Sequence, residues 1–230
     1  MPLHLGILTG LQTEARCLSA GGDKDRAPTR TVALSGARID GARTAARRLV
    51  DAGATHLLSF GLAGGLDPAL QPGMLLLPER LLISHGTSLP VDAAWHAAAR
   101  KILATCQPVT APTIGSYDAV ATVADKAALF KQTRAVAVDM ESHVLAQTAP
   151  ALPLLIVRVV ADTSRDTLPP AALVSIRLDG STNLLAVFGS VLRRPLQVPA
   201  LMRLGRAAAK AEATLREAAR LGLPSGFGLL

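Results

Sequence analysis

The strongest constraint on this chain is a recurrence of short apolar runs, each followed within two residues by a glycine or an acid. Leu3 to Leu8, Thr31 to Leu34, Thr55 to Phe60, Val109 to Ile114, Ala135 to Val138 and Leu154 to Val160 all follow this rule. Apolar runs of that length, bounded by breakers, read as buried strands. Met74 to Pro78 and Arg80 to Ser84 read as two more, with His85 to Pro90 as a loop. Between the runs lie helical patterns at Leu11 to Leu18, Ser35 to about Ala52, Val91 to Ala104, Lys126 to Gln132 and Ser142 to Gln147. Gly53 is placed to stop the second of these. Strands alternating with helices predict an α/β fold, a single domain with a mostly parallel central mixed sheet flanked by helices. A length of 230 residues suits one such unit with a sizeable core. Residues 1–192 carry this pattern, and 193–230 form a basic, largely helical C-terminal segment.

Composition narrows the function classes. Two cysteines, Cys17 and Cys106, are too few for a disulfide framework and read as reduced thiols of a cytoplasmic protein. Five histidines and two cysteines show no metal-ligand spacing, so no metal is expected. The sequence shows neither a signal-peptide pattern nor an apolar run of the ~20 residues that cross a bilayer, which predicts a soluble protein. Of the net charge of +7, most sits at the end: seven basic residues and two acids follow from Arg193 onward. Single-stranded nucleic acid would want aromatics among those charges, and only Phe227 is present, beyond them, so no nucleic-acid partner is expected. Pro199 to Leu221 interleaves Leu201, Met202, Leu204, Leu215 and Leu221 with Arg and Lys. Such a helix either packs on the domain with its basic face in solvent or lies on the anionic inner face of a membrane.

Chemistry-bearing residues cluster where the runs end. Asp139 and Glu141, separated by Met140, close the run Ala135 to Val138 just before a helix. They serve either as caps of that helix or as ligand groups, because buried acids are costly unless something binds them. Glu14 follows the first run and Asp162 the last, where ligand sites of α/β folds collect. Gly61-Leu62-Ala63-Gly64-Gly65 follows the third, reads as a tight turn, and fits neither the dinucleotide nor the P-loop fingerprint.

Four of these stretches are similar, in order, to the nucleoside phosphorylase and nucleosidase superfamily. They are Gly6 to Glu14, Phe60 to Leu66 with Gly73, Val138-Asp-Met-Glu-Ser142 and Val157-Arg-Val-Val-Ala-Asp162. The first and third most resemble methylthioadenosine/S-adenosylhomocysteine nucleosidases. Leu168-Pro-Pro-Ala, Asp179-Gly and Arg193-Arg-Pro resemble the hopanoid-associated phosphorylase branch, which is held to remove adenine from adenosylhopane. The resemblance implies that Asp162 protonates N7 of the purine, that Glu141 holds the ribose hydroxyls with Met140 against the sugar, and that Glu14 orients or deprotonates the attacking water. It also implies a nucleophile or phosphate pocket at Gly36, Arg38, Leu62, Ala63 and Gly64, base contacts at Val120 and Tyr117, and a homo-oligomer.

Departures from the resembling families matter. Leu62 and Ala161 stand where the nucleosidases have serine, and Val120 where an aromatic packs on adenine, with Tyr117 near enough to compensate. The segment from His85 to Asp92 is short and lacks aromatics, which suits a bulky apolar group at the ribose 5′ position. The expected activity is adenine release from a small-molecule or lipid-linked adenosine. No cofactor is expected, and the acceptor is open between water and phosphate as co-substrate. The alternatives are a methylthioadenosine/S-adenosylhomocysteine nucleosidase and a non-catalytic nucleoside-binding or membrane-associated module.

Overall fold

The computed structural model describes residues 2–20, 28–83, 87–168 and 198–230. Among these, nine strands form one sheet: β1 (His4–Thr9), β2 (Thr29–Leu34), β3 (His56–Gly65), β4 (Leu75–Leu76), β5 (Arg80–Leu82), β6 (Ser88–Pro90), β7 (Thr113–Gly115), β8 (Ala137–Asp139) and β9 (Leu154–Asp162). Their order is β2-β1-β3-β8-β7-β5-β6, and β9 lies against β3 and β4. Five pairings are parallel, β1–β2, β1–β3, β3–β9, β5–β7 and β7–β8. Three are antiparallel, β3–β8, β4–β9 and β5–β6. Helices α1 (Gln12–Cys17), α2 (Ile39–Asp51), α3 (Ala93–Ile102), α4 (Val123–Thr133), α5 (Ser142–Thr148) and α6 (Val198–Gly222) flank it. The expected α/β class, mixed and mostly parallel, is the observed one.

The local reasons are simple. Leu5, Ile7 and Leu8 of β1 are fully buried, which requires cover on both faces of the sheet. On α2 the buried positions are Ala42, Ala45, Ala46 and Leu49, a face of small residues that lets the helix approach closely. Gly53 follows α2 at φ +83°, in the left-handed region where glycine ends helices readily. The main core joins β1, β3 and β9 to Val144 and Leu145 of α5 and to Ala211, Leu215, Ala218 and Ala219 of α6.

Two features differ from the sequence reading. Gly61 to Gly65, expected as a tight turn, continue β3 as strand. The reason is company on both sides: β9 pairs as far as Gly64, and β8 pairs with Gly64 and Gly65. The register shifts between Ala63 and Gly64, a bulge that re-aims the strand. Ser88 to Pro90, expected as loop, forms β6 on the edge beside β5, where proline is tolerated. The C-terminal helix packs its buried residues into the main core, the first of the two placements the sequence left open for it. The expected polar loop at Gly21 to Arg26, residues 84–86 at the start of the expected loop, the 192/193 boundary with Arg193 and Arg194, and the motifs after Leu168 lie outside the described residues.

Candidate active site

β3 and β9 run side by side in the same direction, so Gly61–Gly64 and Asp162 finish together. β1 leads into Gly10 and α1 beside them, and β8 crosses the end of β3 in the opposite sense, delivering Asp139 to Glu141. A cavity of about 230 Å³ opens at this junction, lined by Glu14, Glu141 and Asp162 among mostly apolar neighbours.

Glu14 sits on the first turn of α1 and is 3% exposed. Its Oε2 accepts from the backbone N–H groups of Gly10 (2.6 Å) and Leu11 (2.9 Å), and its Oε1 accepts from that of Leu62 (2.8 Å). Because residue 62 contributes its backbone here, leucine in place of serine leaves this bond intact. Burial pushes the Glu14 carboxyl above its ordinary pKa, against the pull of Arg158 and the three amides.

The two acids flanking Met140 divide the alternatives between them. Asp139 Oδ1 accepts from the N–H groups of Glu141 (2.9 Å) and Ser142 (2.7 Å) at the start of α5, so it caps. Glu141 turns into the cavity beside Met140. Its carboxylate accepts from Ser35 Oγ at 3.2 Å and pairs with Arg158 at 3.3 Å. Burial, with Asp139 and Glu14 nearby and Arg158 opposing, pushes Glu141 up to about 7. A Cβ on Gly10 would lie 3.1 Å from Glu141 Oε1 and 3.2 Å from Glu14 Oε2, so the two carboxylates share one wall.

Arg158, on β9, is fully buried beneath them. Its Nη2 donates to Ser59 Oγ (2.7 Å), Asp139 Oδ1 (3.1 Å) and Ser142 Oγ (3.3 Å), and Nη1 to the Leu62 carbonyl (3.2 Å). Burial works against the charge of this guanidinium, but Asp139, Glu141 and Glu14 outweigh it and hold its pKa above the ordinary value. Gly61 makes room for the arrangement: a Cβ there would lie 2.8 Å from Arg158 Nη1 and 2.8 Å from Glu14 Oε1.

Asp162 ends β9 and is 7% exposed. Burial raises its pKa, while an ion pair with the ammonium of Lys126 pulls it down. Lys126, on α4, is 0% exposed, and the sequence reading assigned it no part in the site. A lysine in a short helix carries no signal of burial, and only its contacts with the end of β9 reveal it.

Of the other anticipated residues, Leu62, Ala63, Gly64 and Val120 line the cavity. Gly36 is buried next to Ala37, which lines it. Like Gly36, Arg38 and Tyr117 are not among the residues that line it. Arg38 is exposed in extended backbone before α2. Tyr117 is 41% exposed, with its ring edge-on to His143 at 4.5 Å and its hydroxyl donating to Gln147 Oε1 at 3.2 Å. Its contacts are those of a loop residue packed on α5. Among the described residues no group of three or more His, Cys, Asp or Glu is arranged to hold a metal.

A family model described as the phosphorylase superfamily matches residues 26–192. No curated protein matches by sequence. Among solved structures, the 5′-methylthioadenosine/S-adenosylhomocysteine nucleosidase of Helicobacter pylori, bound to butyl-thio-DADMe-Immucillin-A, superimposes with a TM-score of 0.64 at 16% identity, over 95% of this chain and 98% of that one. Native futalosine hydrolase of the same organism gives 0.64 at 16% identity, over 95% and 97%. A nucleosidase of the first kind from Colwellia psychrerythraea, in complex with adenine, gives 0.61 at 17% identity, over 83% and 96%.

Proposed function

This chain belongs to the phosphorylase superfamily, and from that premise we propose that it cleaves the N-glycosidic bond of a 5′-substituted adenosine, releasing adenine and passing the ribosyl group to water. The observation that carries the reading is the meeting of Glu14, Glu141 and Asp162 around one cavity. Solved structures of similar fold are nucleosidases and a hydrolase of nucleosides, one of them holding adenine.

The three acids divide the work by environment. Asp162, its pKa raised by burial, is placed to give a proton to N7, so that the C1′–N9 electron pair leaves with a neutral base. General-acid help of this kind is worth about 10²–10⁴-fold. Positive charge develops on the ribose as the bond breaks, and Glu141 supplies the opposing carboxylate while its oxygens hold the sugar hydroxyls. Glu14 takes a proton from the water whose oxygen bonds to C1′. Its raised pKa makes it a stronger base than an ordinary carboxylate.

Water is favoured over phosphate by charge. Glu14 and Glu141 share a wall, Arg158 is bound to Asp139 and Glu141, and Arg38 stands outside the cavity. Among the described residues, a phosphate dianion would meet two carboxylates and no uncommitted cation there. For the 5′ substituent, the support is chemical: Leu11, Val120 and Leu168 give the cavity an apolar rim. We take the substrate to be adenosylhopane, with the exposed Met202 and its basic neighbours Arg203 and Arg206 meeting the anionic membrane that holds such a lipid. Methylthioadenosine or S-adenosylhomocysteine is the second reading, since the 16%-identical neighbour acts on those compounds and the cavity of about 230 Å³ suits a small nucleoside. A non-catalytic module is the third, motivated by Leu62, Ala161 and Val120, but Leu62 still serves Glu14 and Lys126 pairs with Asp162.

The test is adenine release from adenosylhopane and from methylthioadenosine, each with and without phosphate. The expected result is phosphate-independent release, faster from adenosylhopane, and its loss in a folded Asp162→Asn variant. Release that requires phosphate would remove the water assignment. Preference for methylthioadenosine would move the substrate to the second reading, and binding of adenine without turnover of either would leave the third.

A further inference from the structure

We infer that Lys126 is a positioning residue for the purine-protonating acid: its ammonium holds Asp162 Oδ2 and leaves Oδ1 as the oxygen that meets the leaving base. This rests on the reading of Asp162 as that acid.

The geometry is specific. An ammonium has three protons to donate. Lys126 Nζ spends them on Asp162 Oδ2, on the Thr163 carbonyl (2.8 Å) and on the Asp166 carbonyl (2.9 Å). All three acceptors belong to the stretch that ends β9 and the turn after it, so one lysine fixes both the acid and the backbone that carries it. Among the described residues Asp162 Oδ1 accepts no hydrogen bond. The anchor is itself fixed: Lys126 lies on the first turn of α4, whose cap, Thr122 Oγ1, accepts from the Asp125 N–H at 3.1 Å.

Packing alone does not account for this burial. Lys126 is the buried residue of α4 and is 0% exposed. A lysine so placed costs free energy unless it is paired. Its partner is the acid that the reaction needs.

The pair also steers the proton. Burial raises the Asp162 carboxyl above its ordinary pKa and so weakens it as an acid. The ammonium opposes this. When the proton passes from Oδ1 to N7 and the C1′–N9 pair departs with the base, the carboxylate left behind forms against a cation. Lys126 keeps its protons throughout, and solvent restores the one on Asp162. Among the described residues, the other charges acting here are Asp166, which pushes Asp162 up, and Arg203 of α6, which acts on Asp166.

The experiment is the pH profile of kcat/KM for the full chain, using whichever of adenosylhopane and methylthioadenosine is turned over faster. Lys126→Met is expected to move the basic limb up by about one to three pH units, with kcat falling more than KM changes. Lys126→Arg, which keeps the charge, is expected to leave the limb near its parent position. Should Lys126→Met fail to fold, Lys126→Gln, which keeps a donor without the charge, is expected to move the limb in the same way. A folded, uncharged variant that lowers the whole profile without moving the limb overturns the inference. Asp162→Asn separates the two levels: activity retained there defeats the acid assignment itself, whereas inactivity there with an unmoved limb at Lys126→Met defeats only the role given to the lysine.

Discussion

Arg158 faces three carboxylates, Glu14, Asp139 and Glu141, with one positive charge. Among the described residues these three share that one guanidinium, and Glu141 bears most of the imbalance, pushed up to about 7. The sign of the resulting pH dependence follows from linkage. A carboxyl whose folded-state pKa lies above its ordinary 4.5 stabilises the fold fully below that value and loses the contribution as pH rises through about 7. Glu141→Gln removes the titration. We expect it to match the parent in thermal stability near pH 4.5 and to exceed it above pH 7 by about 1–3 kcal/mol, while losing turnover. Melting temperatures of both proteins across this range provide the check. Equal melting temperatures at alkaline pH would mean that Arg158 compensates Glu141 fully.

At the scale of elements, the strands and helices were legible because their apolar runs are short, continuous and punctuated. The carboxylates were legible as a set because each follows such a run. What the sequence hid is what depends on neighbours. Gly61 to Gly65 carry turn residues, yet β8 and β9 hold them in strand, and no local signal announces partners from residues 137–162. Likewise nothing near Asp139 and Glu141 says which of the two caps α5. The answer depends on Arg158 and Ser35, both remote in sequence.

Helix α6 shows the same division along its own length. Its buried residues, Ala211, Leu215, Ala218, Ala219 and Gly222, all lie in its second half, whereas Met202 in the first half is 55% exposed. Leu215→Ala is expected to cost about 2–5 kcal/mol by opening a cavity behind β9. Met202→Ser is expected to stay within about 0.5 kcal/mol. Denaturant titration of the two variants tests this, and similar losses from both would show the first half packed as well.

Over the whole molecule, the last residues complete the centre. The Trp95 indole donates to the Gly226 carbonyl at 2.9 Å, across 131 residues of chain. Phe227 is fully buried, with its ring 6.5 Å from that of Phe60 and pressed on Gly222 so closely that a Cβ there would lie 2.1 Å away. A chain ending at Ser225 is expected to lose about 3–5 kcal/mol, the cost of removing a buried phenylalanine, and a melting temperature unchanged by the truncation would contradict this. The same contact sets a condition on synthesis. A nascent chain can pair β1, β2 and β3 as they emerge, but Phe60 waits for a ring translated 167 positions later. Until Phe227 clears the ribosome, the growing polypeptide carries an unfilled hollow at its middle, and its apolar walls stand open to whatever chaperone or neighbouring chain reaches them first.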